Sequence, residues 1–166
     1  MYTLHIANKN YSSWSLRPWV LMKELGIEFN EQLIVFGDEP TWQAYRRLSP
    51  SGKVPCLTDE STTVWDSLAI IEYLAERHEG VWPKNVKARA WARCAAAEMH
   101  SGFQSLRDIC SMNVGLRIRM NTVSEGLQKD VDRIDSLWSH GLQQFGGPFL
   151  AGDRFSAVDA FFAPVV

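Results

Sequence analysis

Three short stretches of this chain carry side chains whose types and spacing can hold an anion or steer a thiol. The first is Asn10-Tyr11-Ser12-Ser13-Trp14-Ser15-Leu16-Arg17-Pro18, between a strand-like run and a helix-like one. First-turn N–H groups of a helix lack partners within the helix and attract negative charge. A serine hydroxyl set among them can donate to a thiolate and lower the thiol's pKa. The same serines can cap the helix instead, and with several present the two roles are compatible. The second stretch is Lys53-Val54-Pro55. A proline among strand-like residues belongs at a strand start or carries a cis bond. A cis bond would turn the Val54 backbone outward, where it could pair with a peptide-like ligand; a plain trans strand start is the alternative. The third is Trp65-Asp66-Ser67-Leu68, at a helix start. Ser67 can offer its hydroxyl and N–H to a carboxylate and Asp66 can accept from an ammonium, or the two serve as caps.

Other reactive side chains read as structural. His5, His78, His100 and His140 have no mutual spacing of a metal site, so no metal is expected. His100, beside Met99, reads as a satisfied interior group. Cys56 reads as a small buried hydrophobe, and Cys94 and Cys110 fall on the helical repeat and read as core. Trp14, Trp19, Trp42 and Trp65 read as packing residues, with Trp14 also placed to wall a pocket.

The elements that must position these stretches follow from periodicity. Residues 3–7 alternate as a strand; 16–25 read as a helix, with Pro18 tolerated in its first turn and Gly26 as its stop. Residues 31–36 form a second strand closed by Gly37-Asp38, and 40–48 a short irregular helix. Strands over 54–58 and 62–65 form a hairpin through 59–61, and a helix over 66–78 ends at Gly80. On that helix Leu68, Ile71 and Ala75 share a face, with Ile70 and Leu74 beside them. This βαβ-then-ββα order predicts a mixed sheet with helices on its faces. After Trp82-Pro83 no strand-like segment follows. Trp91, Ala95, Met99, Phe103 and Leu106 line one long helix over 86–110; Leu127, Val131, Ile134, Trp138, Leu142 and Phe145 line another over 122–145. The chain therefore divides near residue 80 into an α/β unit (1–80) and a helical unit (86–166).

The end of the chain carries the sharpest local signal. Ser156 and Asp159 stand at capping-box spacing, Phe155 is placed to staple onto Ala160, and a helix over 157–166 follows. Phe161, Phe162, Val165 and Val166 would lie bare beside a terminus. The 166 residues are therefore expected to be a fragment, or the ordered part, of a longer polypeptide.

Composition bounds the function classes. With 46% hydrophobic and 22% charged residues the chain reads as a globular protein. Net charge is -2 with no basic block, which gives a nucleic-acid partner no electrostatic support. No apolar run approaches the ~20 residues that span a bilayer, and the N-terminus lacks a secretory pattern. Three cysteines without a C-x-x-C pair fit a reduced, cytoplasmic compartment.

Taken together, the serine loop before a helix, K-V-P, D-S at a helix start, and Gly152, Ser156 and Asp159 in an all-helical second half resemble the glutathione S-transferase superfamily. Ser12-Ser13-Trp14-Ser15-Leu16-Arg17 is similar to the S-S-C-S-W-R stretch of the zeta class, and Ser67-Leu68-Ala69-Ile70-Ile71-Glu72-Tyr73-Leu74 is also close to zeta. The resemblance implies a thioredoxin-like domain over 1–80 and an all-α domain over 86–166 that is incomplete at its C-terminus. It implies glutathione as cosubstrate, without a metal. Ser12, five places before Arg17, takes the thiol-activating position. Lys53 takes the contact to the glycine carboxylate, Val54 the backbone pairing ahead of cis Pro55, and Asp66 and Ser67 the γ-glutamyl contacts. Ser156 and Asp159 stay a structural cap. The implied activity is detoxifying transfer of glutathione to a small electrophile, by a cytoplasmic homodimer paired through residues 66–78 and the helix starting near Val86. Two alternatives stand beside it: a zeta-type glutathione-dependent isomerase, and a non-enzymatic binding or assembly module. Trp14 in place of the zeta cysteine, and Lys53 in place of that class's glutamine, depart from the isomerase pattern.

Overall fold

The computed structural model describes residues 1–35 and 39–165, without the side chains of 39–42 and 44. The expected strand end at Phe36, its stop at Gly37-Asp38, the Trp42 side chain and Val166 lie outside the described residues. Two compact units divide the chain, Met1–Val81 and Trp82–Val166.

The first unit is built on β1 (Tyr2–Ile6), α1 (Ser13–Glu24), β2 (Phe29–Leu33), α2 (Glu39–Leu48), β3 (Cys56–Asp59), β4 (Thr62–Trp65) and α3 (Ser67–Ala75). Its sheet runs β2-β1-β3-β4, with β2 parallel to β1 and β3 antiparallel to both β1 and β4. Leu4, Ile6, Leu57, Ile70, Ile71 and Leu74 are fully buried and form its core. The buried face of α3 centres on Ser67, Ile70, Ile71 and Leu74, a step aside from the expected Leu68–Ile71–Ala75 stripe.

Two boundaries differ from expectation for stated reasons. The second strand occupies Phe29–Leu33 because its partner ends at Ile6, paired with Leu33; past that point the Ile34 N–H still reaches the Ile6 carbonyl, at 2.8 Å. The apolar run that suggested 31–36 was misleading, since Leu33 and Val35 are 48% and 68% exposed. Helix α1 starts at Ser13, three residues early, so Pro18 lies inside it rather than in its first turn. Proline removes one ladder donor there. The helix ends in a Schellman arrangement: Ile27 N–H to Met22 O at 2.9 Å, Gly26 N–H to Lys23 O at 3.2 Å, with Gly26 at φ 65°.

The second unit holds α4 (Val86–Ser101), α5 (Gln104–Ile109), α6 (Glu125–Phe145), α7 (Ala157–Phe162) and a 3-10 turn over Ala163–Val165. The expected single helix over 86–110 is broken after Ser101. Gly102 is extended, Phe103 is left-handed at φ 60°, and a Cβ on Gly102 would stand 2.9 Å from the Glu98 carbonyl. Arg107 turns back to donate to the Gly102 carbonyl at 2.8 Å and to the Met99 carbonyl, while Asp130 of α6 accepts the Leu106 N–H at 2.9 Å. Cys94 and Cys110, expected in the core, are exposed: the buried face of α4 is the small stripe Ala88, Ala92, Ala95, Ala96 and Met99, which leaves Cys94 out, and Cys110 follows the end of α5, beyond the break at Gly102. Helix α6 buries Leu127, Ile134, Leu137 and Gly141, leaving the expected Val131 and Leu142 exposed. The expected helix over 157–166 is α7 plus the 3-10 turn. Its capping box forms: Asp159 accepts the Ser156 N–H at 2.9 Å and also the Leu150 N–H at 2.8 Å. Phe155 packs edge-on against Phe149. Phe161 and Phe162, expected to be bare, are buried, edge-on to His100 and Trp138 respectively.

His5 makes the first unit pH-sensitive. It sits buried in the central strand with Nε2 3.4 Å from Thr58 Oγ1 and Nδ1 without a partner. Burial holds its pKa below the ordinary 6.5. Above that value folded and unfolded chains are both neutral. As pH falls through it the unfolded chain takes up the proton first, so the stability contributed by a neutral His5 is lost on the acid side. Urea unfolding at about pH 7.5 and about pH 5.5 should show the parent chain losing more stability than His5→Gln, by at most ~1.4 kcal/mol per pH unit. Equal losses in the two chains would contradict this.

Candidate functional site

The three stretches meet because of strand register. His5 pairs with Cys56 and Cys56 pairs with Trp65 across adjacent strands. The exit of β1, the entry to β3 and the exit of β4 therefore lie side by side at one end of the sheet, with neighbouring strands about 4.8 Å apart. The Ser12 loop leaves from the first, Val54-Pro55 leads into the second, and Asp66-Ser67 leaves from the third.

At the first position the chain turns through Asn8, whose carbonyl takes the Ser12 N–H at 2.9 Å, and then enters α1. Ser12 stands at the N-cap with φ -93° and ψ 87°, yet its side chain makes no capping bond. Its Oγ donates to Ser15 Oγ at 2.9 Å. Ser15 is fully buried and also accepts the Ala7 N–H at 3.1 Å. That burial removes Ser15 from direct contact with a ligand and leaves Ser12 half-buried in front of it. Trp14 is half-buried and stacked against the guanidinium of fully buried Arg17, 4.4 Å from the ring centre.

At the second position the Val54-Pro55 bond is cis. Lys53 anchors the loop by its backbone: its carbonyl accepts from Tyr45 OH at 2.8 Å and Ser49 Oγ at 3.0 Å, and its N–H donates to Ser51 Oγ at 3.2 Å. The lysine side chain is exposed. Among the described residues nothing bonds the N–H or C=O of half-buried Val54. Cys56 is buried as expected, and burial pushes its thiol pKa up, away from thiolate chemistry.

At the third position Asp66 holds φ 76° and ψ 136°, a backbone conformation that costs a non-glycine residue about 1–3 kcal/mol. Its exposed carboxylate accepts the Leu68 N–H at 2.8 Å, so the capping alternative is realised for Asp66. For Ser67 it is not. Its hydroxyl is buried and has no hydrogen-bond partner among the described residues. The first turn of α3 adds the positive end of its dipole at the same place.

Among the described residues no group of three His, Cys, Asp or Glu side chains gathers as a metal site. Ser156 and Asp159 lie in the second unit and serve α7. Sequence reasoning missed the support behind the site. Tyr45 and Ser49, one helical turn apart, hold the Lys53 carbonyl from α2 and its end; their i, i+4 spacing was the available signal. Ser15 stands three residues after Ser12, at the spacing of an N-cap and its N3 partner, which was the signal for its contact with Ser12.

A buried hydroxyl without a partner costs about 1–3 kcal/mol. Ser67→Ala should therefore leave thermal stability unchanged or raise it by ~1 kcal/mol, whereas Asp66→Ala, which loses its cap, should lower it by about 1 kcal/mol. A marked loss in Ser67→Ala would mean the hydroxyl is already satisfied within the fold.

Residues 11–77, which span all three positions, match the family model described as glutathione S-transferase, N-terminal domain. Curated relatives include the glutathione S-transferase-like protein OpS6 of Beauveria bassiana, 27% identical over 89% of this chain and 72% of that protein. A maleylacetoacetate isomerase of Rattus norvegicus is 27% identical over 93% of this chain and 71% of its own length. Among solved structures, a glutathione S-transferase of Bombyx mori superposes with a TM-score of 0.75 at 21% identity, over 98% of this chain and 75% of that one. A Burkholderia glutathione transferase homolog with bound glutathione gives a TM-score of 0.67 at 22% identity, over 98% and 77%. These folds share the thioredoxin-like α/β unit followed by a helical unit. The family model lies on the site itself, and the similarity to a glutathione S-transferase-like protein and to a maleylacetoacetate isomerase runs through both units.

Proposed function

We propose that this chain is a glutathione transferase: it holds glutathione at the β1–β3–β4 end of its first unit and uses the Ser12 hydroxyl to keep the cosubstrate's sulfur as thiolate. The observation that carries this reading is that polar groups at the entry to β3 and just past β4 are left unused among the described residues: the Val54 backbone and the buried Ser67 hydroxyl. A γ-glutamyl carboxylate suits a hydroxyl and N–H at a helix start. A cysteinyl backbone suits an unpaired N–H and C=O. The residues present therefore fit a tripeptide thiol.

Each residue has its task. Ser67, with the first-turn amides of α3, receives the γ-glutamyl carboxylate, and Asp66 receives the ammonium. Val54 pairs with the cysteinyl backbone and thereby fixes where the sulfur lies. Exposed Lys53 meets the glycine carboxylate. Ser12 donates to the sulfur. Lowering a thiol pKa of about 8.5 by one to two units makes thiolate the major form near neutral pH, at about 1.4 kcal/mol per unit. One charge-assisted hydrogen bond supplies roughly 1.5–3 kcal/mol. Bound glutathione supplies the sulfur nucleophile for attack on a small electrophile.

Thioredoxin-like residues 1–80 carry the cosubstrate site and helical residues 86–166 the second domain. Cytoplasmic placement and a detoxifying role belong to the proposal, supported by three free cysteines and the family. So does a homodimer through α3 and the start of α4, where Val86 is exposed. Sedimentation at micromolar concentration checks the dimer. The zeta-type isomerase reading draws on the rat relative, but Trp14 stands where the zeta pattern has cysteine, which favours transfer.

Ser12→Ala should lower turnover of glutathione with a panel of electrophiles by about 10- to 100-fold, with a smaller change in glutathione binding. Asp66→Ala with Ser67→Ala should abolish retention on immobilised glutathione without altering circular dichroism. Full activity in Ser12→Ala alongside an inactive Ser13→Ala would move the role to Ser13. Unaltered retention in the double variant would remove the proposed site, and retention without turnover in the parent chain would leave a binding module.

A further inference from the structure

We propose that Ser15 is the positioning residue of the transferase site, relaying the Ala7 amide to the Ser12 hydroxyl. The inference rests on the reading of Ser12 given above and extends it to a side chain that no ligand can touch. Ser15 is fully buried, at the third position of α1. A serine at an N-cap ordinarily turns its oxygen to the N–H of the second or third helical residue. Ser12 does not. Its Oγ lies 2.9 Å from Ser15 Oγ instead, and the side-chain cap is left unmade. The Ser15 hydroxyl is thus what takes the Ser12 side chain off the helix end and sets it in front of the helix.

Ser15 is itself held from the sheet. The Ala7 N–H, one residue past β1, donates to Ser15 Oγ at 3.1 Å. Each hydroxyl has one donor and two acceptor positions, so the separation between the serines serves donation in either direction. As it stands, Ser12 donates to Ser15. When Ser12 turns its O–H toward a thiolate, its oxygen is free to accept from the Ser15 O–H. The row then reads Ala7 N–H to Ser15 O–H to Ser12 O–H to sulfur, with every donor polarised by the bond behind it. No proton changes owner; two O–H bonds rotate. Through this row the rigid central strand fixes the direction in which Ser12 donates.

A purely architectural Ser15, holding the β1–α1 corner, would alter stability but not the thiol. The measurement that separates the two is the apparent pKa of bound glutathione, followed by thiolate ultraviolet absorbance against pH in the full chain, with glutathione affinity measured in parallel. Ser15→Ala should raise that pKa by about half a unit to one unit. It should lower kcat/KM about three- to tenfold below the thiol pKa and much less above it, with affinity within about twofold. Ser15→Thr, which keeps the hydroxyl, should recover most of the shift. Ser12→Ala combined with Ser15→Ala should be no worse than Ser12→Ala alone, because the two act as one unit. A thiol pKa unchanged in Ser15→Ala but raised in Ser12→Ala overturns the relay and leaves the Ser12 reading intact. A thiol pKa unchanged in both removes the Ser12 reading and the relay with it, as does a parent chain that binds no glutathione. If Ser15→Ala does not accumulate folded, Ser15→Cys fills the space with a far weaker donor and carries the same test: a parental thiol pKa in that variant overturns the relay.

Discussion

Strand β3 runs antiparallel to both of its neighbours, and the candidate site depends on that pairing more than on any single side chain. Because Cys56 lies opposite His5 on one side and Trp65 on the other, three loops separated by tens of residues open at the same end of the sheet. A register slip of one residue would turn every side chain of β3 to the opposite face. Leu57 would leave the core and the entry to β3 would move along the sheet. The buried set Leu4, Ile6 and Leu57, with Ile70, Ile71 and Leu74 of α3, makes such a slip expensive, at roughly 1.5–3 kcal/mol for each large apolar side chain brought to water.

Stability and function are placed in different parts of this unit. The Leu and Ile side chains of the core need no polar partner, and the Schellman end of α1 is satisfied. The site is not. Asp66 keeps an unfavourable backbone conformation, and among the described residues Ser67 buries a hydroxyl without a partner and Val54 leaves both backbone groups unused. Groups that a fold would satisfy if it were built only for stability stand unpaired where the chain enters β3 and leaves β4. Behind them lies a fully bonded layer. Tyr45 and Ser49 hold the Lys53 carbonyl, and Ser15 holds Ser12. An unsatisfied outer row on a satisfied inner one keeps the donors aimed without exposing the core.

The second unit shows how a smooth periodicity can hide a break. Apolar residues continue at helical spacing from 86 to 110, so nothing in the pattern marks an end at Ser101. Backbone crowding marks it: a side chain at Gly102 would press on the Glu98 carbonyl, and Arg107 replaces the missing helical donors at that end. The cysteine positions follow the same logic. Cys94 lies on the helical repeat, but α4 buries its alanine stripe against α7, and the cysteine is left outside. A repeat says that a helix has a face; which stripe becomes that face depends on what packs there.

By itself the sequence determined the kinds and order of the elements, the change from α/β to helical near residue 80, the cis Val54-Pro55 bond through the family pattern, and the local caps at Asp66 and Ser156. These are short-range properties: turn chemistry, capping geometry and periodicity act within a few residues. Which serine faces outward was not legible in the run Ser12-Ser13-Trp14-Ser15, because three like side chains on one loop differ only in what surrounds them. Tertiary structure withdrew one of the three by burying Ser15 beneath the Ala7 amide. It likewise decided that Ser67 would be left without a partner, that β2 would stop where β1 stops, and that Phe161 and Phe162 would be covered. Each of these depends on a partner distant in sequence, and the identity of that partner is fixed only when the strands and helices have packed.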